Sequence, residues 1–184
     1  MTKRQTIRNK IKTILTTPAI AAIGPRVFTN RMRKVFPEEL PCIIIYSKSE
    51  SAEITVAAPR QYKRIMKLAI EIIDKWDESA EATLDDTLDD RLDEIATEVE
   101  KRLYRNETLD GEVIDLLFSD IETDFVPEGE QPVGAMRLTF DVEYNVDAPD
   151  EQPGLDAWET AHAEFTIQPD GGQEKAVDDI ELPQ

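Results

Sequence analysis

Leu84, Leu88, Leu92, Ile95, Val99 and Leu103 recur at spacings of 4, 4, 3, 4 and 4. That single apolar stripe has the 3.6-residue period of an α-helix of about 20 residues. A helix of this length with one apolar side must lay it against a broad partner layer. Its other sides are acidic, since twelve acids lie between Asp74 and Glu100 against only Lys75 and Arg91. Asp85, Asp86 or Thr87 is the expected N-cap, and the late Lys101, Arg102 and Arg105 suit the helix dipole. Asn106 and Gly111 bracket the exit.

The partner layer is legible as strands. Met136, Leu138, Phe140, Val142 and Tyr144 alternate with Arg137, Thr139, Asp141 and Glu143, the pattern of an antiparallel strand with one wet face. A second alternation starts at Tyr62 and runs through Arg64, Met66, Leu68, Ile70 and Ile72, predicting a long strand. Leu40 to Tyr46 is a short, β-branched apolar run and reads as a strand buried on both faces. Ser47 to Ser51 reads as a turn, followed by a short edge strand from Ala52 to Ala58 that Pro59 ends. Ile121 to Val126 reads as a strand, followed by a loop containing Pro127, Gly129 and Pro132; Leu109 to Phe118 fits a helix or a strand equally well.

Ahead of these, Ile7, Ile11, Ile14 and Leu15 form one stripe of an N-terminal helix, which Pro18 limits. The predicted order is α-β-β-β-α-β-β: an α/β (α+β) fold with a mixed, mainly antiparallel sheet packed against two helices. With 184 residues the chain has the length of one ordinary domain. That domain is assigned to residues 1–146. Residues 147–184, rich in acids, proline and glycine, read as an acidic extension with a strand at 161–167.

Charge is distributed unevenly. Residues 1 to 37 hold nine Lys or Arg and no acid, so the rest must carry −27 to reach the net −18. The basic start resembles an organellar presequence in composition. Its apolar periodicity accounts for it instead as a core helix. A net charge this negative disfavours nonspecific binding to nucleic acid or anionic lipid. No apolar run approaches the roughly 20 residues that span a bilayer, so no membrane partner is expected.

Searching for chemistry yields little. The single cysteine, Cys42, excludes an internal disulfide and a multi-cysteine metal site, and it is compatible with a reducing compartment. His162 is the only histidine and lies about 120 positions from Cys42, so the two read as an exposed histidine and a buried structural thiol. There is no G-x-S-x-G elbow, phosphate loop or dinucleotide fingerprint; Gly171-Gly172 is the one glycine pair. Asp85, Asp86, Asp89, Asp90, Asp93 and Glu94 lack the central glycine and terminal glutamate of an EF-hand. They fit a solvated face, a face that meets a basic partner, or a weak divalent site. The expectation is a protein that is not an enzyme, without cofactor or metal.

A bipolar chain can associate head to tail, and heterologous contacts that close make rings. Arg26, Arg31, Arg33 and Lys34, in a loop containing Gly24, Pro25 and Pro37, are the candidate cations for a ring or lumen surface. Asp86, Asp89, Asp90 and Asp93 are the candidate acids of an outer or inter-subunit face.

The succession of features resembles the tail terminator proteins of long-tailed bacteriophages. It consists of the N-terminal helix, Arg26-Val27-Phe28, and Phe36-Pro37-Glu38-Glu39-Leu40-Pro41 leading into Cys42-Ile43-Ile44-Ile45-Tyr46 and Glu50. The long strand from Tyr62, Leu88 to Ile95 opening the second helix, and Gly134 to Tyr144 follow. The resemblance covers residues 4 to 146; the tail beyond Val146 and a segment near Ser79 depart from it. It implies helices against one sheet and a homo-oligomer, a hexameric ring seated on the tail tube protein. Such a ring stops tube growth and offers a surface to a head-completion or connector protein, with at most DNA passing through its lumen. The implied location is the head-proximal end of the virion tail, after assembly in the bacterial cytoplasm. Another connector or tail-assembly factor would share the ring logic. An acidic DNA mimic would use the net charge directly, but sits poorly with the basic first 37 residues.

Overall fold

The computed structural model describes residues 2–57, 59–75, 84–126, 133–148, 160–167 and 174–181. Two compact units divide the chain, Met1–Ala148 and Pro149–Gln184.

The N-terminal stripe forms α1, Lys3–Thr16, with Ile7, Ile11 and Leu15 fully buried. Its start is capped by Gln5, whose Oε1 accepts the Thr2 backbone N–H at 2.9 Å. The acid-laced stripe forms α2, Leu84–Tyr104. Asp85, Asp86 and Thr87, the expected caps, therefore lie inside its first turn, where acids still complement the dipole.

Both helices pack on one face of a five-stranded sheet built from β1 (Val27–Thr29), β2 (Cys42–Ala57), β3 (Arg60–Lys75), β4 (Asp115–Val126) and β5 (Val133–Asp147). The spatial order is β1-β2-β3-β5-β4, with β1 parallel to β2 and every other pair antiparallel. The fold is thus the expected α+β arrangement of two helices on a mainly antiparallel sheet. The alternating residues of β3 (Met66, Leu68, Ile70, Ile72) and β5 (Met136 to Tyr144) all face the helices and are buried. Gly134 is needed where α2 crosses β5. A Cβ there would lie 2.9 Å from Leu92 Cδ1, 3.1 Å from Phe125 Cε1 and 3.2 Å from Leu88 Cδ2.

The succession α-β-β-β-α-β-β recurs in the first unit, because one unexpected strand offsets the merging of two expected ones, and three strands differ from expectation. β1 was not anticipated, because three residues carry no readable period and its pairing with Ile43–Ile45 is a tertiary event. The expected turn at Ser47 to Ser51 is instead continuous strand. A register shift between Ser47 and Ser49 carries β2 through, so Ala52 to Ala57 belongs to the same strand as Ile43. Of the ambiguous Leu109 to Phe118, the end is strand: β4 begins at Asp115 and joins what was read as a separate strand from Ile121. Leu109, Asp110 and Gly111 turn the chain with positive φ values of 48°, 58° and 82°.

Arg102 links the helices. Its Nη1 donates to the Ile14 and Leu15 carbonyls at 3.4 Å each and to the Pro18 carbonyl, and its Nε pairs with Glu98 at 2.8 Å. A side chain of α2 thereby satisfies the open carbonyls at the C-terminus of α1. Arg102→Ala is expected to cost roughly 1–2 kcal/mol, read as a lower urea midpoint with unchanged slope.

The sheet face away from the helices is wet across the middle of β3, β5 and β4, and is covered by a loop at the β1–β2 end. Its cross-strand partners are charge pairs: Lys67 with Asp141 at 2.7 Å, Lys63 with Glu143 at 2.6 Å, and Arg137 with both Glu71 and Glu122 at 3.0 Å. In the second unit, β6 (Thr160–Ile167) pairs antiparallel with β7 (Glu174–Glu181). The strand at 161–167 is present; β7 was not read because four of its eight residues are acids and its apolar ones do not alternate. The segment near Ser79, the loop of Pro127, Gly129 and Pro132, and Gly171-Gly172 lie outside the described residues.

Candidate assembly interface

Along β2, Ile43 and Ile45 point into the main core, so Cys42, Ile44 and Tyr46 point to the opposite face. There they form a second apolar cluster with Leu40, Phe28, Val35 and Ile73. The loop Asn30–Leu40 supplies part of this cluster. Cys42 is fully buried, and burial pushes its thiol up to about 11, so it packs as a small apolar group.

Arg31 organises the loop. Its side chain is only 4% exposed. Its Nη2 donates to the Lys34 carbonyl at 3.1 Å and pairs with Glu39 Oε2, and its Nε donates to the Arg33 carbonyl at 3.4 Å. The guanidinium carbon lies 4.4 Å from the Phe28 ring centroid, and the Tyr46 hydroxyl donates to the Arg31 carbonyl at 3.1 Å. Glu39 also accepts the Phe36 N–H at 3.0 Å and Arg33 Nη2 at 3.1 Å. The hydrogen bond from Arg31, with that from Phe36 second, holds the Glu39 carboxyl below the usual carboxylate range.

The four candidate cations therefore separate into two roles. Arg26 donates to the Ala22, Ile23 and Leu40 carbonyls at 2.9, 3.0 and 3.3 Å, tying the two ends of its loop together. Arg31 is enclosed beneath the loop and is not positioned to reach a partner. Arg33 and Lys34 are exposed at the tip. Sequence reasoning missed Glu39, although Glu38 and Glu39 are the first acids of the chain and follow directly on its cations. It also missed Met32 and Phe36, which are 96% and 48% exposed.

The candidate acids lie elsewhere. Asp89, Asp90 and Asp93 are exposed on α2, on the helix-covered side of the sheet, and Asp86 lies in the first turn of the same helix. Asp90, Asp93, Glu94 and Thr97 share one open face of α2. Among the described residues, no group of three or more His, Cys, Asp or Glu is placed to share a metal ion. Of the candidate residues, the exposed cations Arg33 and Lys34 and the exposed acids of α2 lie on opposite faces of one sheet, while other exposed charges, such as Lys101 on α2 and Glu122 on the far face, do not follow this division.

No protein-family model matches this sequence, and it has no match among curated proteins.

Proposed function

We propose that this chain is a structural assembly protein of the tail terminator kind, a ring that caps a phage tail tube, stops its growth and presents a surface for head joining. The observation that carries this reading is the segregation of charge across the sheet. A loop tip with Lys34 exposed stands on one face and exposed acids of α2 on the other, so contact between copies can bring opposite charges together. Such contacts are heterologous and generate rings when the rotation closes. The fold supports it as well: both helices pack against one face of a mainly antiparallel sheet, as the resemblance implies. In this reading the protein works by contact and needs no reacting group, and its setting is the head-proximal end of a virion tail.

The reading has a kinetic consequence. A cap that occupies growing ends acts at concentrations far below that of the tube subunit. Light scattering of polymerising tube protein from the same genetic element is expected to plateau early when the chain is added in small molar proportion. Growth unaffected even at equal concentrations would refute capping.

A further inference from the structure

β4 lies at the edge of the sheet, and β5 is its one strand neighbour among the described residues. Its outer side therefore presents a row of unpaired backbone N–H and C=O groups, the template on which an added strand pairs. A register shift between Phe118 and Asp120 interrupts the first part of β4; from Asp120 to Val126 the strand then runs residue for residue against Thr139 to Val133 of β5. The two faces of this regular stretch differ. Ile121, Thr123 and Phe125 stand opposite Leu138, Met136 and Gly134, and so lie on the helix side of the sheet. Ile121 and Phe125 are nonetheless 43% and 47% exposed. Asp120, Glu122 and Asp124 alternate with them on the wet side. Glu122 is paired with Arg137, and no described residue gives Asp120 or Asp124 a cation. The core layer is thus left open at this edge, with an acidic row on its reverse.

Pattern and charge select the occupant. A second β4 is disfavoured, because pairing the strand with its own copy in one continuous sheet would set Asp120, Glu122 and Asp124 against their own kind. The other open edge of the sheet, β2 beyond Ile45, brings Glu50 and Glu53 against Lys48 alone, and residues 147–184 hold eleven acids against one Lys. Neither complements the acidic row. We propose that the edge from Asp120 to Val126 is a docking site for an extended segment of another protein, one in which apolar residues alternate with Lys or Arg. Its apolar side chains cover Ile121 and Phe125, where Phe125 meets Leu88 and Leu92 of α2 around Gly134. Its cations lie across from Asp120 and Asp124, and its backbone completes the hydrogen bonds of the edge. The main-chain bonds supply adhesion and the alternation supplies specificity. This surface is separate from the charge contact between copies, and it holds whether or not the chain caps a tube.

Two synthetic peptides test the site on the full-length chain. One is a capped seven-residue peptide alternating Lys and Val; the other has the same composition with its lysines grouped at one end. The alternating peptide is expected to bind roughly tenfold more tightly in fluorescence anisotropy, because only it can turn Val to Ile121 and Phe125 while turning Lys to the acids. It is also expected to slow amide hydrogen exchange within residues 120–126 and not along α2. Charge alone would hold both peptides equally, so equal affinities would overturn the proposal, as would protection that falls on α2 and spares β4. A variant carrying Asp120→Lys and Asp124→Lys changes two exposed positions and is expected to melt as the native chain does. Its affinity for the alternating peptide is expected to fall roughly tenfold; unchanged affinity would overturn the proposal. Protection of residues 120–126 that rises with protein concentration in the absence of peptide would assign the edge to a second copy, and would overturn it too.

Discussion

Arg91→Ala is expected to lower stability by about 3 kcal/mol near neutral pH, and to lose most of that penalty on acidification. The reason lies with Asp74, at the end of β3, which is completely buried. Its Oδ2 faces Arg91 Nη2 at 2.8 Å, and its Oδ1 accepts the Lys75 N–H at 2.8 Å. Burial pushes this carboxyl above its ordinary value, while the Lys75 N–H and the Arg91 charge pull it back. Without Arg91 an uncompensated charge is left in the interior, and such losses cost far more than an intact pair is worth. Arg91 is 40% exposed, so water softens the effect and places it at the low end of the range for buried pairs.

The sign with pH follows from the direction of the shift. A carboxyl raised on folding binds its proton more tightly in the native state. Its contribution favours the fold at low pH and erodes as pH rises from the ordinary carboxylate range through the raised value. Removing Arg91 raises it further, so the gap between variant and native melting temperatures should widen with pH across that window. Asp74→Asn in the Arg91→Ala background should close most of the gap at neutral pH. A gap that is the same at every pH would contradict this assignment.

Arg31→Ala is expected to cost roughly 2–3 kcal/mol, the scale of charged hydrogen bonds lost by an enclosed guanidinium. The Arg33 and Lys34 carbonyls each lose the guanidinium N–H they accept, and the Phe28 ring loses its cation. Arg31→Lys should recover little, because a single ammonium cannot serve two main-chain carbonyls, a carboxylate and a ring face together. The distinguishing readout is local: amide hydrogen exchange should accelerate across residues 30–40 more than in α2. Acid should mimic the substitution. Glu39 is depressed on folding, so its contribution is present above the ordinary carboxylate range and is lost as pH falls through the depressed value. Uniform exchange across the whole fold would show that Arg31 does not act on the loop in particular.

These two arginines mark the boundary of what the sequence discloses. The helices and the strands β3 and β5 are legible because each buries one side along most of its length, and a one-sided element writes its period into the chain. β2 is legible for Cys42 to Ile45 and then misleads. Beyond Tyr46 most of its residues are exposed, so Ser-Lys-Ser-Glu-Ser carries turn composition on a strand held by pairing with β3. The loop cations are misleading for a related reason. Arg31 and Arg33 look alike in sequence, yet one is enclosed and the other is exposed. The difference arises from Phe28, Glu39 and Tyr46, which only the folded chain brings to Arg31. Charge segregation between the first 37 residues and the rest was readable; its placement on opposite faces of a sheet was not.

Electron microscopy of tubes polymerised from the tube protein of the same genetic element, with and without this chain, tests the central claim most directly. Capping requires shorter tubes that carry one additional ring of density at a single end, labelled by antibody against this chain. Tubes of unchanged length with bare ends, at concentrations where the chain is in excess over tube ends, would contradict it.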